Sequence, residues 1–213
     1  MRLEGDNFFP KSQKRGDSCT PTAIEIVWRG LCNSHRVDGT ALDEWAIKRA
    51  IGWRAGWGVE YWDPSIPLNS LNRTLQSYGY RADQDAAGSM SVGKLKKIVS
   101  DFDSSAPVIT VNEKYVKEQT KFYEPSIGDG RLWHDLVVTR FLENDIVELF
   151  DPLTLLPADG SSYNKEDYKI TIPAVKFLNY WSGGNQYAFW IQKISSGTAI
   201  PQRRLKESLK GEN

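Results

Sequence analysis

Cys19 immediately precedes Thr20-Pro21 and the residues Ile24, Val27, Trp28 and Leu31, whose spacing predicts a helix beginning just after the thiol. A thiol is a useful nucleophile only as thiolate, and a helix N-terminus supplies the partial positive charge and N–H groups that favour that form. The competing reading of Cys19 is a small buried hydrophobe, a common fate of free cysteine. A nucleophilic thiol also needs a base, and the chain has two histidines. His134 directly precedes the Leu136-Val137-Val138 run, at the mouth of an expected strand. His35 follows the first helix in the polar stretch 33–38 and is expected to be an ordinary exposed residue.

A third group should hold the imidazole in one tautomer and favour its protonated form, and Asp151 closes the next expected strand, just before Pro152. If Asn144-Asp145 is a two-residue turn, Asp151 opposes Val138, an even number of residues from His134, and the two side chains share a face. A three-residue turn breaks that parity. Asp151 can equally be read as a strand-end turn former. Gln13 lies six residues before Cys19, where its side-chain amide could join the Cys19 N–H in binding an oxyanion. On its own, a glutamine in a basic loop carries no such meaning.

The elements that must position these groups are legible in outline. Thr40 and Asp43 resemble a capping box for a second helix through Trp45 and Ile47 to about Ile51. Pro67, Leu68, Leu71 and Leu75 mark a third helix closed by Gly79, and Ser91 can cap a fourth with Leu95, Ile98, Val99 and Phe102 on one face. Beyond Pro107 the pattern turns to strands at 108–111, 136–142, 146–150 and 187–194, interrupted by a short helix that begins near Thr171 and Pro173 and ends at Gly183-Gly184. Helices first and strands afterwards predict an α+β domain, with a helical part packed on an antiparallel sheet and a cleft between them.

The 213 residues, 40% of them hydrophobic, suffice for one core. The expected organisation is a domain over residues 1–196, with a helical half to about 105, a sheet half from 106, and a polar basic tail at 197–213 that reads as solvated. Lys plus Arg equals Asp plus Glu, 27 each, so no overall charge draws the chain to nucleic acid or anionic lipid. No apolar stretch reads as a signal-peptide core or a membrane span, which gives a cytoplasmic expectation with Cys19 and Cys32 as free thiols.

The segment Gln13-Lys14-Arg15-Gly16-Asp17-Ser18-Cys19-Thr20-Pro21-Thr22-Ala23 resembles the Gln-x5-Cys-Gly-Pro-x-Ala segment that opens papain-like peptidases of the bacteriocin-leader-processing type. His134-Asp135-Leu136-Val137-Val138 resembles that family's histidine and following strand, and Leu149-Phe150-Asp151-Pro152 its Asp-Pro motif, in the same order. Pro107-Val108-Ile109 and Trp181 with 187–191 resemble neighbouring elements, so the likeness runs from about Gln13 to Ile194. It implies a papain-like fold and a cysteine peptidase with Cys19, His134 and Asp151 as triad and Gln13 at the oxyanion site. It also implies a peptide or protein substrate and no cofactor. Thr20 stands where that family has glycine, as does Trp133 before the histidine. The tryptophan-rich residues 35–66 have no counterpart and read as an insertion whose aromatics are expected to pack.

Other signals are weaker. Gly88 to Lys94 has most of a phosphate loop, but Leu95 occupies the place of the magnesium-binding hydroxyl and no strand is read before it. A zinc site from Cys19, Cys32, His35 and His134 lacks a Cys-x-x-Cys anchor, and there is no Gly-x-Ser-x-Gly elbow. An acyl-transferase or glutamine deamidase on the same triad, and an inactive peptide-binding relative, remain as alternative functions.

Overall fold

The computed structural model describes residues 18–53, 68–85, 90–119, 133–152, 169–183 and 186–194. Six strands form one sheet: β1 (Tyr80–Asp85), β2 (Val108–Val111), β3 (His134–Leu142), β4 (Ile146–Phe150), β5 (Lys169–Pro173) and β6 (Ala188–Lys193). They lie in the order β1-β6-β2-β3-β4-β5, every neighbouring pair antiparallel. The α+β class read from the sequence is therefore present. The helices, however, cover both faces of the sheet instead of forming one separate half.

On one face lie α1 (Cys19–His35), α2 (Glu44–Ala50) and α3 (Leu68–Gln76), whose Ile24, Val27, Trp28, Leu31, Ile47, Leu71 and Leu75 pack with Val108, Val137, Phe150 and Phe189. On the other lie α4 (Val92–Ser100), α5 (Glu113–Gln119) and α6 (Ala174–Gly183), whose Leu95, Tyr115, Phe177 and Trp181 pack with Ile109, Leu136, Val138 and Leu149. The physical reason is visible in the strands. All four residues of β2 are buried, and so are the first six of β3; burial that runs continuously, not alternately, is the mark of a strand covered on both faces.

Local chemistry sets the ends of the helices. Asp43 alone caps α2, accepting from the Ala46 N–H at 2.8 Å, and Ser91 caps α4, accepting from Lys94 at 3.2 Å. Arg36, in the left-handed region, ends α1, and the Val37 N–H reaches the Cys32 carbonyl at 2.8 Å. Gly79, at φ 81°, turns the chain after α3 into β1, a strand not anticipated in this stretch. Asn72 on α3 holds that edge strand, accepting from the Ala82 N–H at 2.6 Å and donating to its carbonyl at 3.2 Å. Thr171 and Pro173, expected to open a helix, end β5 instead. Pro173 opposes Ile146 on an edge strand, where a missing N–H is tolerated, and α6 starts one residue later. Among the described residues no helix is long and apolar enough to cross a membrane.

Candidate active site

Cys19 is the first residue of α1 and is partly exposed. The preceding Ser18 makes no side-chain capping bond, and the first turn of α1 contains no acidic residue. His134 is the first residue of β3, opposite Val111 of β2, and is 4% exposed. Asp151 follows β4 directly and is 2% exposed. The fold brings these three together: His134 Nε2 and Asp151 Oδ1 lie 2.6 Å apart, and the Cys19 side chain is within hydrogen-bonding reach of the same ring. With Nε2 engaged by Asp151, Nδ1 is the ring nitrogen left for the thiol. Gln13 lies outside the described residues.

The turn that links β3 to β4 is not the two-residue one on which the shared face depended. Leu142 pairs with Ile146, leaving three residues between them, with Asn144 and Asp145 both at positive φ. A register shift between Val138 and Arg140 compensates, because Thr139 is an extra residue on β3. Beyond it Val137 pairs with Phe150, so continuing the register puts Asp151 opposite Leu136, two residues from His134. Parity is lost at the turn and regained at the bulge.

Burial is the largest single influence on His134 and favours the neutral ring. The charge and hydrogen bond of Asp151, followed by the contact with Cys19, outweigh it and hold the imidazole pKa up to about 10, against an ordinary 6.5. An imidazolium is thus the stable form at neutral pH.

Tyr115, which sequence reasoning did not single out, completes the enclosure. Its hydroxyl donates to Asp151 Oδ2 at 3.3 Å, and its ring stacks on His134 with centroids 6.3 Å apart. Burial and the adjacent carboxylate push its own pKa well above 10. The available signal was the pair of i,i+4 charge spacings, Glu113 with Lys117 and Lys114 with Glu118, that flank Tyr115 and Val116 and mark a short amphipathic helix.

The other histidine is elsewhere and is not exposed as expected. His35 ends α1, about 24 Å from Cys19 at 1.5 Å per residue. Its side chain is 6% exposed, packed between the Tyr80 and Phe102 rings, with Nδ1 2.7 Å from the Tyr80 hydroxyl. Cys32 is buried against Gly39, and desolvation pushes its thiol up to about 12. Of the phosphate-loop resemblance, Gly88 and Ser89 lie outside the described residues. A strand, β1, does precede it, but as an antiparallel edge; Lys94 bonds the Asp85 carboxylate and lies over the Trp190 ring.

No family model and no curated protein matches the chain. Among solved structures, the fold is similar to that of a Bacillus anthracis protein provisionally named a C39-like peptidase. The match has a TM-score of 0.52 at 18% identity and covers 88% of this chain and 96% of the other. That likeness is one of fold.

Proposed function

We propose that the chain is a cysteine peptidase, or a thiol hydrolase of a related amide or isopeptide bond, with Cys19 as nucleophile, His134 as acid and base, and Asp151 as the group that orients His134. The observation that carries this reading is the buried His134–Asp151 pair at 2.6 Å, with the Cys19 side chain on the same ring at the start of α1. The similarity of fold to a protein named a C39-like peptidase supports it.

In this mechanism the Cys19 thiolate attacks the carbonyl carbon, and the carbonyl π electrons move to oxygen. As the C–N bond breaks, the His134 imidazolium gives its proton to the departing amine, leaving a thioester and a neutral ring. Water then attacks the thioester while His134 takes its proton, and the Cys19 thiolate leaves as the carboxylic acid product forms. Asp151 keeps Nε2 engaged throughout, so that Nδ1 faces the sulfur. Gln13 is assigned to the oxyanion on its spacing from Cys19. Trp133, 42% exposed and adjacent to His134, is available to a substrate chain.

The test is the rate of iodoacetamide labelling against pH, read by intact mass for wild type, Cys19→Ser and His134→Ala. Cys32, buried and with its thiol pushed up to about 12, is the internal control for an inert cysteine. Fast labelling at Cys19 well below the free-thiol pKa of about 8.5, abolished by Cys19→Ser and slowed by His134→Ala, is expected. Labelling that rises only near that value would instead favour an inactive peptide-binding groove.

A further inference from the structure

We infer that Thr20 and Asp135 form a positioning strut that fixes the approach of Cys19 to His134; this rests on the reading of those two residues as nucleophile and base. Thr20 follows Cys19 in α1, and Asp135 follows His134 in β3. The Thr20 hydroxyl donates to Asp135 Oδ2, and Asp135 Oδ1 accepts from the Thr110 hydroxyl at 2.6 Å. Thr110 and Asp135 are direct cross-strand partners in β2 and β3, next to the Val111–His134 pair. Thr20, Asp135 and Thr110 are 4%, 2% and 1% exposed.

The two groups that must meet belong to different layers, a helix and a sheet. Apolar packing of α1 holds it against the sheet, but that attraction is non-directional and says little about where the helix stops along its axis. A hydrogen bond to a carboxylate is directional and about twice as strong as a neutral one. Here it joins the residue after the thiol to the residue after the imidazole, so any displacement at the strut passes to the sulfur–ring contact across one residue on each side. Neighbouring strand residues face opposite ways; at this end of β3, Asp135 is the residue turned to α1. Thr110 holds the carboxylate from the sheet side, leaving its other oxygen directed at the helix. The glycine found at position 20 in the family that the segment resembles would have no hydroxyl to make this bond.

The chain's two histidines make the inference measurable without a substrate. In protein labelled with 15N-histidine, imidazole signals are compared for wild type, Cys19→Ala, Thr20→Val and Thr20→Ser. His35, at the far end of α1, reports whether the helix remains folded. The expected result is that Cys19→Ala moves the His134 signals, Thr20→Val moves them similarly while those of His35 stay, and Thr20→Ser restores the wild-type spectrum. Alkylation of Cys19 at pH 6 is expected to fall at least about tenfold in Thr20→Val and to recover in Thr20→Ser, as small misplacements cost large factors in rate. Asp135→Asn, which keeps the shape but leaves one oxygen to accept two hydroxyls, is the second variant and is expected to displace His134 in the same way, including where Thr20→Val disturbs His35. Wild-type His134 signals and alkylation in folded Thr20→Val and Asp135→Asn would overturn the strut while leaving the catalytic pair standing. If Cys19→Ala leaves His134 unmoved, the thiol–imidazole pair itself is absent, and both readings fail.

Discussion

The Thr139 hydroxyl donates to two acceptors on Glu148, the side-chain carboxylate at 2.6 Å and the backbone carbonyl at 3.1 Å. Those bonds sit at the bulge that shifts β3 against β4 by one residue. A bulge leaves one residue without a ladder partner, and a β-branched hydroxyl with a nearby acceptor gives that residue a defined place. The strand pair carries His134 at one end of β3 and Asp151 just past one end of β4, so a residue well removed from the triad determines which face the aspartate takes.

Thr139→Val keeps the shape of the side chain and removes both bonds. It is expected to destabilise the protein by about 1.5–3 kcal/mol, the usual cost of losing a hydrogen bond to a charged group, since Glu148 Oε1 keeps Arg140 Nε at 3.3 Å, with Thr139→Ser close to wild type. Urea unfolding monitored by tryptophan fluorescence measures this. Equal stability in all three proteins would mean that the hydroxyl does not hold the bulge.

Tyr115→Phe removes the hydroxyl bonded to Asp151 and leaves the ring over His134. At 3.3 Å the bond is long, so Cys19 alkylation near neutral pH is expected to slow by no more than about threefold. Tyr115→Ala also removes the buried ring and admits water to the pair, and is expected to slow it by about tenfold or more while costing about 3–5 kcal/mol in stability. Identical alkylation rates in the two variants would show that only the hydroxyl matters.

The pH dependence of stability follows from the raised pKa of His134. A folded value of about 10 against 6.5 unfolded means the folded state holds the proton more tightly. Its contribution is fully present below pH 6.5 and is lost as pH rises through 10, with stability falling by at most about 1.4 kcal/mol for each pH unit crossed between those values. The raised pKa of Tyr115 acts in the same direction but only above about 10, where the unfolded phenol ionises first. Urea midpoints from about pH 6 to 10 are therefore expected to decline in Cys19→Ser, where no thiol titrates beside the ring to offset the slope, and to flatten when Asp151→Asn is added and the charge that raises the imidazole is gone. A flat profile in Cys19→Ser would contradict an imidazolium paired with Asp151.

What the sequence disclosed depended on how local the cause was. The start of α1 after Cys19, the Ser91 cap and the limits of β2 and β4 were readable because each rests on residues a few positions apart. β1 was not, since Tyr80, Ala82 and four polar or charged residues make a weakly apolar edge strand whose Ala82 is tied by Asn72 of a preceding helix. The approach of Asp151 to His134 was anticipated through a turn that does not occur, because the three-residue connection and the bulge cancel and neither has a marker in the sequence. The two-sided covering of the sheet did have one, in the consecutive apolar residues Val108-Ile109 of β2 and Leu136-Val137-Val138 of β3. Phe102 was placed on the apolar face of α4 by periodicity, but it lies past the helix end and is 64% exposed against His35.

The described part of the tryptophan-rich stretch is organised around a buried charge. Lys48 and Glu44 form an i,i+4 pair at 2.7 Å with side chains only 4% and 5% exposed, and the Lys48 ammonium lies 4.1 Å from the Trp53 ring centroid and 4.8 Å from that of Trp45. Trp53 packs at the margin of the α1 core, but Trp45 remains 58% exposed, so the expectation that these aromatics serve packing holds for one ring more than for the other. Removing one partner of a buried pair leaves an uncompensated charge, whereas replacing both with apolar or neutral groups of similar volume often costs nothing. Lys48→Ala is accordingly expected to lose about 3–5 kcal/mol, and Glu44→Gln combined with Lys48→Met to lie within about 1 kcal/mol of wild type. Urea denaturation of both variants decides this. If the double variant is as unstable as the single, the cation over the two indoles stabilises the fold through its rings, and the carboxylate is secondary.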